Sequence, residues 1–160
     1  MSLIIGIDPG LTKTGWGLIR VENNHISYVA SGTIKSTADQ KISDRLKNLH
    51  FHISKILHIY QPNHAAIEKV FVNKNPLSTL KLGHARGALL LTLALQKNMT
   101  ISEYASTEIK KSVVGVGRAD KKQVTYMVKQ LLPKSNAKTE DESDALATAI
   151  CHYSISNLKV

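Results

Sequence analysis

The chain opens on Leu3-Ile4-Ile5-Gly6-Ile7, an unbroken apolar run stopped by Asp8-Pro9-Gly10. A run this short, ended by turn residues, predicts a strand buried on both faces with Asp8 at its end. Two β-rich stretches follow, Gly15 to Glu22 and Ile26 to Lys35, and the Asn23-Asn24 turn signal between them predicts a hairpin. The period then changes. Ile42, Leu46, Leu49, Ile53, Ile56, Leu57 and Tyr60 recur at spacings of three and four, which predicts an amphipathic helix over Asp39 to Tyr60, closed by Pro62. His64 to Val70 returns to strand. Pro76 to Gln96 predicts a second long helix, whose Gly83, Ala85, Gly87 and Ala88 would let another backbone come close, in the core or across a dimer contact. Ile101 to Tyr104 predicts a fifth strand. After it come a helix capped by Ser106 or Thr107, a break at Gly115-Val116-Gly117, a helix from Lys121 to Leu132 capped by Asp120, and a last helix over Glu140 to Ile155. In that last helix Ala145, Leu146, Thr148, Ala149 and Tyr153 are the predicted inner positions.

These elements describe an α/β protein, and 160 residues suit one domain with one sizeable core, spanning residues 1–160. The single cysteine, Cys151, excludes an intramolecular disulfide and a thiolate metal site, which fits a reducing cytoplasm. The Met1 to Ile7 start lacks the charged and apolar blocks of a signal peptide, and the longest apolar-rich run, Ala88 to Leu95, is far below membrane-spanning length. A soluble cytoplasmic protein with no membrane partner is the expectation.

Charge narrows the class of partner. Twenty-one Lys and Arg against twelve Asp and Glu give a net charge of +9, the signature of a polyanion ligand such as nucleic acid. The excess is concentrated: Lys110 to Lys138 holds eight basic residues, including Lys110, Lys111, Arg118, Lys121 and Lys122, against the one acid Asp120. Lys129, Lys134 and Lys138 read as a solvated face. Lys121 and Lys122 open a helix whose free N–H groups also attract phosphate.

The acids are uneven too, with Glu140, Asp141, Glu142 and Asp144 packed into five positions at the start of the last helix. Stabilisation of that helix by its macrodipole explains such a cluster on its own. Asp8 and Glu68 change the picture, because each ends an apolar run where a buried charge needs compensation. A hard divalent cation provides it, taking oxygen ligands and serving phosphoryl transfer. Asp141 and Asp144, three apart, share one helix face; Glu142 points elsewhere and is expected to face solvent.

Gly6-Ile7-Asp8-Pro9-Gly10, Ile67-Glu68-Lys69-Val70-Phe71, Lys81-Leu82-Gly83-His84-Ala85-Arg86-Gly87, Val113 to Lys121 and Asp141-Glu142-Ser143-Asp144-Ala145-Leu146-Ala147 together resemble, in order and spacing, the RuvC-type Holliday junction resolvase family. The resemblance covers nearly the whole chain. It implies an RNase H-like fold of the retroviral integrase superfamily, a mixed five-stranded sheet flanked by helices. It also implies a nuclease in which Asp8, Glu68, Asp141 and Asp144 hold two Mg²⁺ per active site, with Mn²⁺ substituting, one ion generating hydroxide and the other steadying the leaving 3′ oxygen. Asp8 would bridge the two ions. By the same resemblance Lys110 and Lys121 lie near the scissile phosphate, Lys121 as a catalytic residue. Phe71, before the polar Asn73-Lys74-Asn75 loop, can be partly exposed beside the site; a core role is the ordinary expectation for phenylalanine, whereas the resemblance implies that it stacks on bases at the junction centre. The implied partners are four-way junction DNA, a second copy of the chain and a RuvA–RuvB branch-migration complex.

Three rivals remain in view. The actin-like or sugar-kinase ATPases open similarly but need two related domains, which this length does not supply. RNase H itself and the YqgF-type proteins share the acids but lack the Gly-Val-Gly and lysine pattern. A non-catalytic junction-binding module would have no use for all four acids.

Overall fold

The computed structural model describes residues 1–71, 74–156 and 158. Asn73, in the polar loop after Phe71, lies outside them. Ten elements follow in order: β1 (Ser2–Asp8), β2 (Lys13–Glu22), β3 (His25–Lys35), α1 (Ile42–Tyr60), β4 (His64–Glu68), α2 (Pro76–Ala94), β5 (Thr100–Tyr104), α3 (Ser106–Val114), α4 (Lys121–Leu131) and α5 (Glu140–Ile155). The strands form one sheet in the order β3-β2-β1-β4-β5. β1 pairs antiparallel with β2 and β2 with β3, whereas β1 with β4 and β4 with β5 run parallel. This is the mixed five-stranded arrangement expected.

β1 is central, which is why its sequence is a continuous apolar run. Its alternating side chains divide the core in two. Ile4, with Ile19, Val21 and Ala66, packs against α3, α4 and α5, while Ile5 and Ile7, with Leu18, Ala65 and Ile67, pack against α1 and α2. The hairpin turn places Asn23 and Asn24 at φ of 49° and 60°, the left-handed region that asparagine tolerates.

Several boundaries differ from the sequence reading. α1 starts at Ile42 rather than Asp39, after a Lys41 with no side-chain cap, and ends at Gln61 in the left-handed conformation. Ile42 itself is exposed, and the buried line of that helix includes Arg45, whose guanidinium bonds the Ser36 and Thr12 hydroxyls. β4 stops at Glu68, two residues short of Val70, and α2 at Ala94. Neither Ser106 nor Thr107 caps α3: the cap position is Ala105, whose N–H donates to the Glu108 carboxylate at 2.7 Å. Gly115 ends that helix at φ 90°. Asp120 caps α4 as expected, accepting from the Gln123 N–H at 2.8 Å while Gln123 accepts from the Asp120 N–H at 2.9 Å. Among the described residues no helix is long and apolar enough to cross a membrane.

Candidate active site

Parallel pairing carries β1 and β4 in the same direction, so both end on one edge of the sheet, Asp8 on the first and Glu68 on the second. The turn after Asp8 is pinned by the Thr14 hydroxyl, which donates to the Gly10 carbonyl at 2.5 Å. α5 supplies the other acids. It lies directly on β1 and β2, because the strand residues beneath it are glycines: a Cβ on Gly6 would overlap the Ala145 carbonyl and come within 2.6 Å of the Ala149 nitrogen, and one on Gly15 would overlap the Asp141 carbonyl. Gly15 is also the register partner of Asp8. The glycines therefore set the height of the helix that brings Asp141 and Asp144 to Asp8.

Glu142 fixes the same helix from the other side. It is buried, contrary to the solvent-facing expectation, and its carboxylate accepts from the Ser31 hydroxyl at 2.7 Å, the Lys138 N–H at 3.3 Å and the Thr139 hydroxyl at 3.4 Å. These bonds satisfy its buried oxygens and tie the start of α5 to β3. Thr139 caps the helix and bonds Thr33 on β3.

Asp8, Glu68 and Asp144 line one cleft of about 250 Å³ together with Ser106, Ile109, Lys110, Lys121 and Val124. A second cleft of about 270 Å³ shares Asp8, Glu68 and Ser106 and continues over Pro9, Lys69, Val70, Phe71 and Leu82. Phe71 is 67% exposed, so it belongs to the rim of the site and not to the core. Lys121 reaches Glu140 at 3.7 Å and Asp144 at 3.9 Å. Lys111, Arg118 and Lys122 are exposed and line neither cleft. Asp141 is half-buried and acts on Asp8 and Asp144 through its charge.

The electrostatics record the crowding. Burial, then the charges of Glu68, Asp144 and Asp141, push the Asp8 carboxyl up to about 8 against the pull of Lys121. Burial raises Asp144 to about 6 despite Lys121. Glu68 is raised by burial and drawn back by the Ser106 hydroxyl, by Lys110, by a hydrogen bond with Asp8 and by Lys121. Carboxylates gathered this closely disfavour their own ionised forms, and a hard cation with oxygen ligands relieves that strain, so the donor set fits a divalent metal. Among the described residues no three of the acids, histidines and cysteine are placed to hold a metal ion as they stand; Asp8, Glu68 and Asp144 line one cleft.

Ser106 and Arg86 are site residues the sequence reading missed. Ser106 was assigned a capping role, whereas its hydroxyl faces Glu68. Arg86, on α2, donates through Nε to the Glu68 carbonyl at 3.3 Å and pairs with Glu103. Nothing local in the sequence marks either contact, since both cross between elements.

Residues 4–152 match the family model described as crossover junction endodeoxyribonuclease RuvC. Among curated relatives, the crossover junction endodeoxyribonuclease RuvC of Allorhizobium ampelinum is 48% identical over 93% of this chain and 88% of its own length. That of Brucella anthropi is 49% identical over 93% and 86%. Of solved structures, Thermus thermophilus RuvC superposes with a TM-score of 0.86 at 27% identity, covering 98% of this chain and 96% of that one. The same protein in complex with Holliday junction substrate gives 0.90 at 26% identity, covering 99% and 96%. The yeast mitochondrial Holliday junction resolvase Ydc2, at 13% identity and a TM-score of 0.67, shares the fold.

Proposed function

The chain belongs to the crossover junction endodeoxyribonuclease RuvC family, and on that premise we propose that it resolves Holliday junctions by metal-dependent hydrolysis, cutting two symmetric strands to leave 5′-phosphate and 3′-hydroxyl ends. The observation that carries this reading is the convergence of Asp8, Glu68 and Asp144 with Lys110 and Lys121 in one cleft of a basic protein. Asp8, Glu68, Asp141 and Asp144 would hold Mg²⁺, two ions per site, with Mn²⁺ as a substitute. When bound, such ions lower the pKa of a coordinated water and neutralise charge on the leaving oxygen.

The chain's own residues do the rest. Lys121, which rests against Asp144 and Glu140, can exchange these carboxylates for a phosphate oxygen, and its charge then meets the negative charge that grows in the transition state. Lys110, which lines the same cleft from α3, holds the phosphate as well. Phe71, on the rim beside Asp8 and Glu68, offers a face on which an unpaired base stacks. Lys111, Arg118 and Lys122 extend the basic surface along the flanking duplex.

The same reading takes the chain as one nuclease domain acting as a two-fold dimer in the cytoplasm, with a RuvA–RuvB complex as partner. The proposed dimer contact is the outer face of α2: Leu77, Leu80 and Leu91 are exposed there, Leu95 just past its end is exposed too, and a Cβ at Gly83 or Gly87 would meet nothing within the protomer. Ala85, by contrast, is core.

The test is cleavage of a synthetic four-way junction with Mg²⁺ or Mn²⁺, against Ca²⁺ and against linear duplex of the same sequence. Paired nicks in the junction alone are the expected result. Equal cutting of duplex would favour a general RNase H-like nuclease, and binding without cutting in any metal would favour a non-catalytic junction binder.

A further inference from the structure

Glu68 is the last residue of β4, and what holds its main chain is not the sheet alone. On the β1 side the parallel ladder ends one residue earlier, at Ile7 opposite Ile67. On the β5 side Glu68 pairs with Tyr104, whose carbonyl accepts from the Lys69 N–H at 2.8 Å. The carbonyl of Glu68 itself turns to α2 and accepts from Arg86 Nε at 3.3 Å. The far end of the same guanidinium is ion-paired with Glu103 on β5, next to Tyr104. Arg86 is mostly buried, with 19% of its side chain exposed, against 42% for Glu103. One planar group thus joins α2, β4 and β5 at the residue that carries a cleft carboxylate.

We propose that Arg86, braced by Glu103, is a positioning residue that fixes the Glu68 main chain and thereby aims its carboxylate at the metal cleft; this rests on the nuclease reading above. The reason is geometric. The peptide plane that follows Glu68 is held to β5 at one end, through the Lys69 N–H, and Arg86 anchors its other end at the carbonyl. Two anchors on one plane limit how far it can tilt, and with it the Cα from which the carboxylate projects. Arginine suits the task because its rigid fork serves two acceptors lying in different directions, whereas lysine is a point charge on a flexible stem. Ser106 meets the other end of the same residue, so Glu68 is held at its carbonyl and at its carboxylate. Outer partners that orient ligands in this way usually change metal affinity about 10- to 100-fold when altered.

The experiment uses the whole chain and three variants, Arg86→Lys, Arg86→Gln and Glu103→Gln. Mn²⁺ affinity is measured by calorimetry without DNA, single-turnover junction cleavage is followed as a function of metal concentration, and junction affinity is measured in Ca²⁺. Arg86→Lys and Glu103→Gln are expected to weaken Mn²⁺ binding about tenfold and to shift the metal dependence of cleavage to higher concentration. At saturating metal the rate should return to within a few-fold of wild type, with junction affinity unchanged throughout. Should Arg86→Gln fail to fold, Glu103→Gln decides the matter, since it leaves the arginine in place and removes only its brace. Wild-type metal affinity in both Arg86→Lys and Glu103→Gln, even with a lowered Tm, overturns the proposal and leaves the contact purely structural. Cleavage by the wild type judges the nuclease reading separately, because the calorimetric comparison needs no activity.

Discussion

The main chain of Gly15 touches the carbonyl of Asp141, with no side chain between them. A methyl group at Gly15 must therefore lift the start of α5 off the sheet, in the strand position paired with Asp8. Gly15→Ala should cost about 1 to 3 kcal/mol of stability by overpacking, and should also slow cleavage at temperatures where the variant is fully folded. Thermal melts and single-turnover rates on the same preparation check this. A stable variant with the wild-type rate would show that α5 tolerates a different height.

Asp8 stands among three other carboxylates, and burial disfavours its charge further. Asp8→Asn should abolish junction cleavage yet raise the Tm of metal-free protein at neutral pH, because a carboxyl raised to about 8 must take up a proton on folding and an amide need not. Junction binding should hold or tighten. Added Mg²⁺ or Mn²⁺ should stabilise the wild type markedly and the variant little. Glu68→Gln, Asp141→Asn and Asp144→Asn should likewise lose cleavage, and any of them that cuts at the wild-type rate leaves the catalytic set.

Lys121 and Phe71 touch DNA by different physics, so their losses should read differently. Lys121→Ala should reduce the single-turnover rate far more than binding, and should lower the slope of log affinity against log salt by about 1. Phe71→Ala should weaken productive engagement of the junction with the slope unchanged, since stacking releases no counterion. A changed slope for Phe71→Ala, or a wild-type rate for bound Lys121→Ala, would reverse these assignments.

His152, 2% exposed on α5, bonds the Tyr104 hydroxyl at 2.8 Å and His64 at 3.2 Å, and burial followed by His64 pushes its pKa down to about 4. An unfolded histidine takes up its proton near 6.5, so between about 6.5 and 4 the unfolded chain binds more protons than the folded one. Stability should accordingly fall as pH drops through that window and be insensitive to this group above it. His152→Gln should flatten that part of the Tm–pH curve. An unchanged curve would mean that His152 binds its proton equally well in the folded and unfolded chain.

How much the sequence revealed depends on the range of the interaction. β1, the hairpin, α5 and the Asp120 cap were legible because period, turn residues and caps act within a few residues. Asp8 and Glu68 were legible because acids at the ends of apolar runs are costly enough to need a reason, whereas Asp144 stood out only by its spacing from Asp141 and by the family resemblance. Glu142 was misjudged, because its partner Ser31 lies on β3, across the fold and 111 residues away. Periodicity counts it as one more charge in a cluster, and only tertiary packing distinguishes it. Removing its charge with Glu142→Leu should destabilise the protein by about 1 to 3 kcal/mol, measured by denaturant melts, by orphaning the donors that it now satisfies. Arg86 escaped notice for the same reason: Glu68 and Glu103 flank it at a distance in sequence and meet it only in the fold.

The acids of the cleft come from widely separated parts of the chain, Asp8 from β1 and Asp144 from α5, the last of the described elements. During synthesis the first strands leave the ribosome long before that helix does. A nascent chain thus carries only part of the proposed acid set until α5 is made. Since α5 also completes the core on one face of the sheet, folding and chemical competence arrive together. A truncated or stalled product lacking α5 should therefore have neither the fold nor the full acid set.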